Sequence, residues 1–395
     1  MLTIKAMTGG ETYARNHLSN NDYYAVGETV TGRWMGRGAA LLGLDGAVTM
    51  EKFDAVRQAL HPATGEFLRQ RRSADRFNDA GEKLATARNL YDFTISAPKA
   101  LSVQALEDPR LIGAHNAAVA ETVEEMESVA GARIRRSGAN DTRVTSNLVI
   151  ARYDHDTSRE LDPQIHSHLV AANLTYDGAE GRWKALQASA IYERREYLSE
   201  VYRNALAREV TALGYQIEDR FEHGKDRGFG ISGIAEATLE KYSRRSAQRD
   251  QAIAEFLEAN GRLPSNGEIA QLVRDSRAEK LTSISTAEVR ARQLARLDPE
   301  ETQTLARLRA DALAANSRRE AKSAESSFQY ASDHVFERLS VSKDYDLFTE
   351  ALRHGRGGIE LPALKAELES RISTGAMLTA GGEVATKESW NASGK

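Results

Sequence analysis

The chain has 395 residues, 41% hydrophobic and 28% charged, with a formal net charge of −4. That is enough apolar material for a real core, divided into two or three units of ordinary domain size, and it excludes a disordered chain. The absence of cysteine excludes a disulfide framework and a thiolate zinc site, and no apolar run approaches the roughly 20 residues of a spanning helix, so a cytoplasmic protein without a membrane segment is expected.

Near the start, "TYARNHLSNNDYYAVGE" places Tyr13, Tyr23 and Tyr24 in a polar, turn-flanked segment, where tyrosine is hard to explain as core. A phenol with a pKa of about 10 is a poor nucleophile at neutral pH, so it needs a base beside it or a metal at the electrophile. "RWMGRG" then supplies Arg33, Trp34 and Arg37. Cations beside an aromatic suit single-stranded nucleic acid, although a solvated arginine face and a core tryptophan are the plainer explanations.

"NLYDFTIS" reads as a strand, with Asp92 set among apolar neighbours where a carboxylate is costly unless it has a partner or a job. "LIGAHNAAVAETVEEMESVAGA" and "REYLSEVYRNALAREVTALG" carry apolar residues three and four apart and predict helices, while "TRVTSNLVIARYDH" and "IHSHLVAANLTYD" predict further strands. Clustered strands and helices without strict alternation predict an α+β fold with a central antiparallel sheet flanked by helices.

His155, His166 and His168 are three of the nine histidines. Residues two apart on a strand share a face, so "QIHSHLV" presents two imidazoles side by side, and the turn-rich "DTSRELDP" folds His155 back toward them. Three imidazoles leave positions open on a divalent cation, which is what a catalytic metal needs. The bland alternative is a chance polar pair on a solvated strand. With a tyrosine group and a strand aspartate alongside, the combination describes tyrosyl attack on a metal-bound phosphodiester.

From Ile234 to about Lys322 the composition turns to Arg, Lys, Glu and Ala at helical spacing, with Lys241, Arg244, Arg245 and Arg249 near its start. Within it, "FLEANGRLPSNGEIAQLVRDSR" predicts two helices around a turn, a helical hairpin in preference to a helix-turn-helix. The tail beyond Ser323 reads as a further short helical region that looks cut from a longer protein, and no complete phosphate-binding loop occurs.

Four stretches in order, "NDYYAVGETVTGRWMGRGAALLGLDG", "YDFTISAPKALS", "HDTSRELDPQIHSHLVAANLT" and "YSRRSAQRDQAI", make the chain resemble the MobF-type (TrwC/TraI-like) conjugative relaxases over roughly residues 1 to 310. The resemblance implies a circularly permuted HUH endonuclease fold: a catalytic palm over 1–235, a helical fingers-like extension over 236–310 that closes on DNA, and a helical linker over 311–395 that opens a downstream module. It also implies a metal-dependent transesterase that nicks single-stranded DNA at an origin of transfer, keeps the strand as a 5′-phosphotyrosine and reseals it.

Carried over residue by residue, the resemblance makes Tyr13 the primary nucleophile, Tyr23 or Tyr24 the agent of a second strand transfer, Asp92 the proton acceptor, and His155, His166 and His168 the metal ligands. Tyr13 follows Thr12 alone where the family often has a pair, which leaves an exchange of roles with Tyr24 open. Arg33, Trp34, Arg37, Lys99, Arg159, Lys241, Arg244, Arg245 and Arg249 are expected on DNA. Magnesium or manganese is the expected ion, with zinc or others able to occupy the site. The implied partners are transfer-origin DNA with an adjacent hairpin, accessory relaxosome proteins and a secretion coupling protein, and the implied state is a monomer that can pass to the recipient cell. The competing readings are an HUH-type rolling-circle initiator, a metal-dependent hydrolase without a covalent intermediate, and a non-catalytic DNA-binding module.

Overall fold

The computed structural model describes residues 1–7, 32–69, 76–78, 83–85, 88–136, 138–275, 284–315 and 322–392. Five strands form one sheet: β1 (Leu2–Met7), β2 (Arg33–Met35), β3 (Leu90–Ser96), β4 (Ile150–Thr157) and β5 (Pro163–Ala172). Their spatial order is β1-β3-β5-β4-β2, and every neighbouring pair is antiparallel. The predicted α+β architecture with a central antiparallel sheet is the one found.

Alternation along β3 decides what each face of the sheet does. Phe93 and Ile95 are fully buried on one face, together with Ile165 and Leu169 of β5, and helices α1 (Lys99–Gln104), α2 (Arg110–Ser128) and α3 (Arg195–Ala212) complete that core. α2 meets the sheet because Leu111, Ala114, Ala118, Val119, Val123 and Met126 recur at helical spacing on one side. Each fully buried large apolar side chain contributes about 1.5–3 kcal/mol.

On the opposite face, which carries Asp92 and Thr94, the described residues form a second cluster at one end of the strands, with Met7, Leu90, Trp34, Phe53, Val56, Tyr153 and Val170. A Cβ on Gly32 would come within 2.2 Å of the Tyr153 ring. Only glycine lets the backbone enter β2 this close to that ring.

His115 of α2 is buried beneath the sheet, and burial, with a smaller push from Arg152, lowers its pKa to about 3 against an opposing pull from Asp154. The imidazole is therefore neutral in the folded chain, whereas in the unfolded chain it takes up a proton at about pH 6.5. Between those values the unfolded state binds more protons, so this group's stabilisation is present above pH 6.5 and falls as pH drops toward 3, by about 1.4 kcal/mol per unit. Urea unfolding at pH 7 and pH 5 should show the loss, and His115→Gln should reduce it, leaving the share that His166 contributes.

Two stretches depart from the sequence reading. "TRVTSNLVIARYDH", predicted as one strand, is two, because Ala139–Val144 pairs with Gly131–Arg136 in a separate hairpin and β4 begins only at Ile150. Between them Ser146 adopts φ 55°, and the Asn147 amide donates to Thr145 O (2.7 Å) and Tyr176 O (2.9 Å) while accepting from Tyr176 N (2.7 Å). A side chain satisfying three backbone groups replaces the ladder there. The tail beyond Ser323, predicted as helical, does hold helices Ala324–Phe336, Asp344–His354 and Leu361–Ser373, but it also holds a three-stranded sheet of Ser342–Lys343, Met377–Ala380 and Glu383–Thr386. Its hairpin turns on Gly381 and Gly382, both at positive φ (60° and 79°), the backbone that a two-residue hairpin turn requires.

This tail docks on the body through a buried cation. Arg356, 2% exposed, donates to Glu200 (3.2 Å), Asp219 (2.5 Å), Asp226 (2.6 Å) and Gly228 O (3.0 Å). The Asn204 side chain of α3 adds bonds to Ile359 O and from Gly357 N.

The predicted helical hairpin forms from α4 (Arg244–Asn260) and Asn266–Asp275, with Gly261 in the left-handed region (φ 64°) closing α4. α4 buries no residue of its own.

Candidate metal centre and nucleic-acid cleft

The β4–β5 register puts His155 directly across from His166, and His168 lies on the same face two residues further along. The turn between the strands is closed by Ser158 N to Asp162 O (2.8 Å) and Leu161 N to Ser158 O (3.0 Å), with Leu161 at φ 60°. Ring centres of the three histidines are 5.1, 5.3 and 5.6 Å apart. Imidazoles meeting one ion through bonds of about 2.1 Å have ring centres about 5 Å apart, so the spacing is that of a shared site, although among the described residues no three His, Asp or Glu side chains are already poised around one metal position.

Their surroundings fit as well. His166 Nδ1 donates to Gln164 O (2.8 Å), and His168 Nδ1 faces both Asp92 oxygens at 3.0 and 3.1 Å. A hydrogen bond at Nδ1 fixes the tautomer and presents Nε2 to a metal. Burial lowers the His166 pKa to about 4, which keeps the ring in the neutral, ligating form at neutral pH. Asp92 is itself held by Thr94, whose hydroxyl donates to Oδ1 at 3.1 Å.

A cleft of about 660 Å³ opens over His166, His168, Asp92 and Thr94, between the sheet face and the start of α4. Of the nine residues expected on DNA, Lys99, Arg159, Arg245 and Arg249 line it, joined by Lys5, the cross-strand partner of Asp92. Lys99 donates to Pro163 O at 3.0 Å, and its burial lowers the ammonium pKa to about 8.

The other five are placed elsewhere among the described residues. Arg33 pairs with Asp154 (3.1 Å), Arg37 with Glu127 (3.6 Å), Lys241 with Glu301 (2.7 Å) and Arg244 with Asp162 (3.0 Å). Trp34, considered from sequence as a stacking surface, is 8% exposed within the second core, so its burial corrects that reading to a packing role. Tyr13, Tyr23 and Tyr24 lie outside the described residues.

Sequence reasoning missed Thr94 and Lys5. The signal for Thr94 was present in "YDFTIS", where it alternates onto the face of Asp92, whereas Lys5 reaches the site only through pairing of strands some 90 residues apart.

Three imidazoles beside a basic cleft suit cleavage of a nucleic-acid backbone, which needs charge neutralisation at phosphate and a track for the strand. A TrwC relaxase family model matches residues 7–299, well over half of the chain. The chain belongs to that family, the DNA-nicking relaxases, which is the family its motifs resemble.

The multifunctional conjugation protein TraI of Escherichia coli K12 is 33% identical over 266 residues, and a second Escherichia coli TraI is 32% identical over the same length. The matched region is 65% of this chain but only 14% of those relatives. Among solved structures, TrwC complexed with a 27-mer DNA comprising the recognition hairpin and the cleavage site is 32% identical, with a TM-score of 0.60 over 75% of this chain and 97% of that one. A metal-bound TrwC complex with origin-of-transfer DNA is 33% identical with a TM-score of 0.61 over the same shares.

Proposed function

We propose that this chain cleaves one strand of DNA at a plasmid origin of transfer, stores the phosphodiester as a 5′-phosphotyrosine and reseals the strand during conjugation. The observation that carries the reading is the convergence of His155, His166 and His168 under a basic cleft, with Asp92 against His168. The relatives add support: TrwC has been solved with its recognition hairpin and cleavage site, and in a metal-bound form.

The three histidines would hold a divalent ion, magnesium or manganese by the demands of phosphoryl transfer, with zinc or copper able to occupy the imidazoles. Such an ion would supply charge neutralisation at the scissile phosphate. Asp92 keeps His168 in one tautomer and takes the phenolic proton of Tyr13. The Tyr13 oxygen bonds to phosphorus, the bond from phosphorus to O3′ breaks, and O3′ leaves to become a free 3′-hydroxyl. Tyr23 or Tyr24 performs the second transfer. Lys99, Arg159, Arg245 and Arg249 track the strand's phosphates, so affinity falls steeply with added salt.

In this reading the palm covers 1–235, the fingers 236–310 and a further segment 311–395, and the enzyme works as a cytoplasmic monomer with relaxosome proteins and a coupling protein before passing to the recipient. Among the described residues no helix is long and apolar enough to cross a membrane.

The test is a denaturing gel of the protein with end-labelled oligonucleotides that include transfer-origin sequences, with and without magnesium or manganese. A metal-dependent shifted band that Tyr13→Phe loses is the expected result. A band that survives in Tyr13→Phe moves the primary role to Tyr23 or Tyr24, and cleavage without any adduct replaces the relaxase reading with a hydrolase.

A further inference from the structure

We propose that Ser167 and His115 are positioning residues for the metal centre, acting from the opposite face of the sheet through a one-way hydrogen-bond relay. This rests on the reading of His155, His166 and His168 as metal ligands.

Ser167 stands between His166 and His168, so its side chain points away from the cleft, and it is fully buried. Its Oγ lies 2.9 Å from His115 Nε2 and 2.5 Å from Asp154 Oδ1, while His115 Nδ1 lies 2.7 Å from the Tyr202 hydroxyl. Only one proton arrangement serves every group. The Asp154 carboxylate, already accepting from Arg152 and Arg33, accepts from Ser167 as well, so the Ser167 oxygen is left to accept from His115 and the other His115 nitrogen to accept from Tyr202. Tyr202 therefore donates to Nδ1, Nε2–H donates to Ser167, and Ser167 donates to Asp154. Arg152 also donates to Ser167 Oγ (3.4 Å) and to Asp154 Oδ1 (2.8 Å), and Arg33 donates to Asp154 Oδ2 (3.1 Å).

The relay touches the two ligand-bearing strands where it matters. Asp154 precedes His155 and pairs across the ladder with Ser167, immediately beside the His155–His166 pair. The Ser167–Asp154 bond thus fixes the spacing of β4 and β5 under the imidazoles, and the bond from His115 sets the pleat that aims His166 and His168. α2 and α3, which carry His115 and Tyr202, transmit the packing of the core to the geometry of the cleft. A polar chain this buried would be a poor choice for stability alone, since apolar side chains would fill the same layer without needing every partner in place.

The test is Mn²⁺ affinity by calorimetry, with the Co²⁺ absorption spectrum and thermal unfolding, on the full chain and on Ser167→Ala, Ser167→Thr, Tyr202→Phe and His166→Ala. Ser167→Ala should bind Mn²⁺ about ten- to a hundredfold more weakly with a shifted Co²⁺ spectrum. Ser167→Thr, which keeps the hydroxyl, should recover most of that loss, and Tyr202→Phe should fall between. If Ser167→Ala does not fold, Tyr202→Phe decides, because it removes one oxygen and no packing. Lowered melting with unchanged Mn²⁺ affinity and Co²⁺ spectrum in both variants overturns the relay. Wild-type protein that binds Mn²⁺ no better than His166→Ala instead overturns the metal-centre reading beneath it.

Discussion

Replacing His166 with alanine is expected to lower the rate of tyrosyl–DNA adduct formation about a thousandfold or more, at any concentration of magnesium or manganese the protein tolerates. His166 lies between the other two in the ladder, directly across from His155 and two residues from His168. Its loss leaves two imidazoles, too few to hold a hard cation in place while phosphate competes for it. A thousandfold corresponds to about 4 kcal/mol, the several kcal/mol of charge stabilisation that a bound cation supplies. The fold should persist, since His166 belongs to none of the three apolar clusters. Single-turnover kinetics with labelled oligonucleotide and a circular dichroism spectrum check both halves, and an adduct formed at the wild-type rate would sink the assignment.

The second large effect concerns stability and lies far from the cleft. Arg356→Ala should cost about 3 kcal/mol, because it takes the buried cation from Asp226 and Glu200, although Glu200 keeps Arg203 and Arg353 and Asp219 is partly exposed. Glu200 is only 1% exposed and has no route to water. Lys365, by contrast, pairs with Glu125 with 38% of its side chain exposed, so Lys365→Ala should cost no more than about 1 kcal/mol. Urea titration together with limited proteolysis separates the two: Arg356→Ala should free the 322–392 segment for cleavage at urea concentrations where Lys365→Ala is still resistant. Equal resistance in both would show that the apolar contacts of Phe328, Phe348 and Leu352 hold this segment without the ion network.

The site was more legible in the sequence than the fold around it, and the reason is physical. Alternation along a strand is a local rule, so "QIHSHLV" announced two imidazoles on one face, and "DTSRELDP" announced the turn that returns His155 to them. Asp92 was visible because a carboxylate inside "LYDFTIS" needs an explanation. Partners set by register between distant strands were not visible: Lys5 beside Asp92, or His115 beneath Ser167, depends on which strands and helices become neighbours. The same holds for Arg356, whose three carboxylates stand 130 residues or more away. Hairpins were lost where short strands turned on Gly381–Gly382, too few residues to show a period of two against helical flanks. Which basic residues line the cleft was not visible either, because a cation announces charge and not its partner; Arg37 and Lys241 have carboxylates nearby that composition does not reveal.

The strand order sets how far the chain must span for the proposed nucleophiles to act at the histidines. The described residues stop at Met7 of β1, at one edge of the sheet, and resume at Gly32 beside β2, at the other, with the histidine strands β4 and β5 between them. Met7 lies two strands across and four residues along from His168, about 16 Å at ordinary sheet spacings. Tyr13 follows Met7 by six residues, a leash of about 20 Å at full stretch, and Tyr24 precedes Gly32 by eight, a longer one. From either edge, chain length alone permits the proposed nucleophiles to reach the histidines.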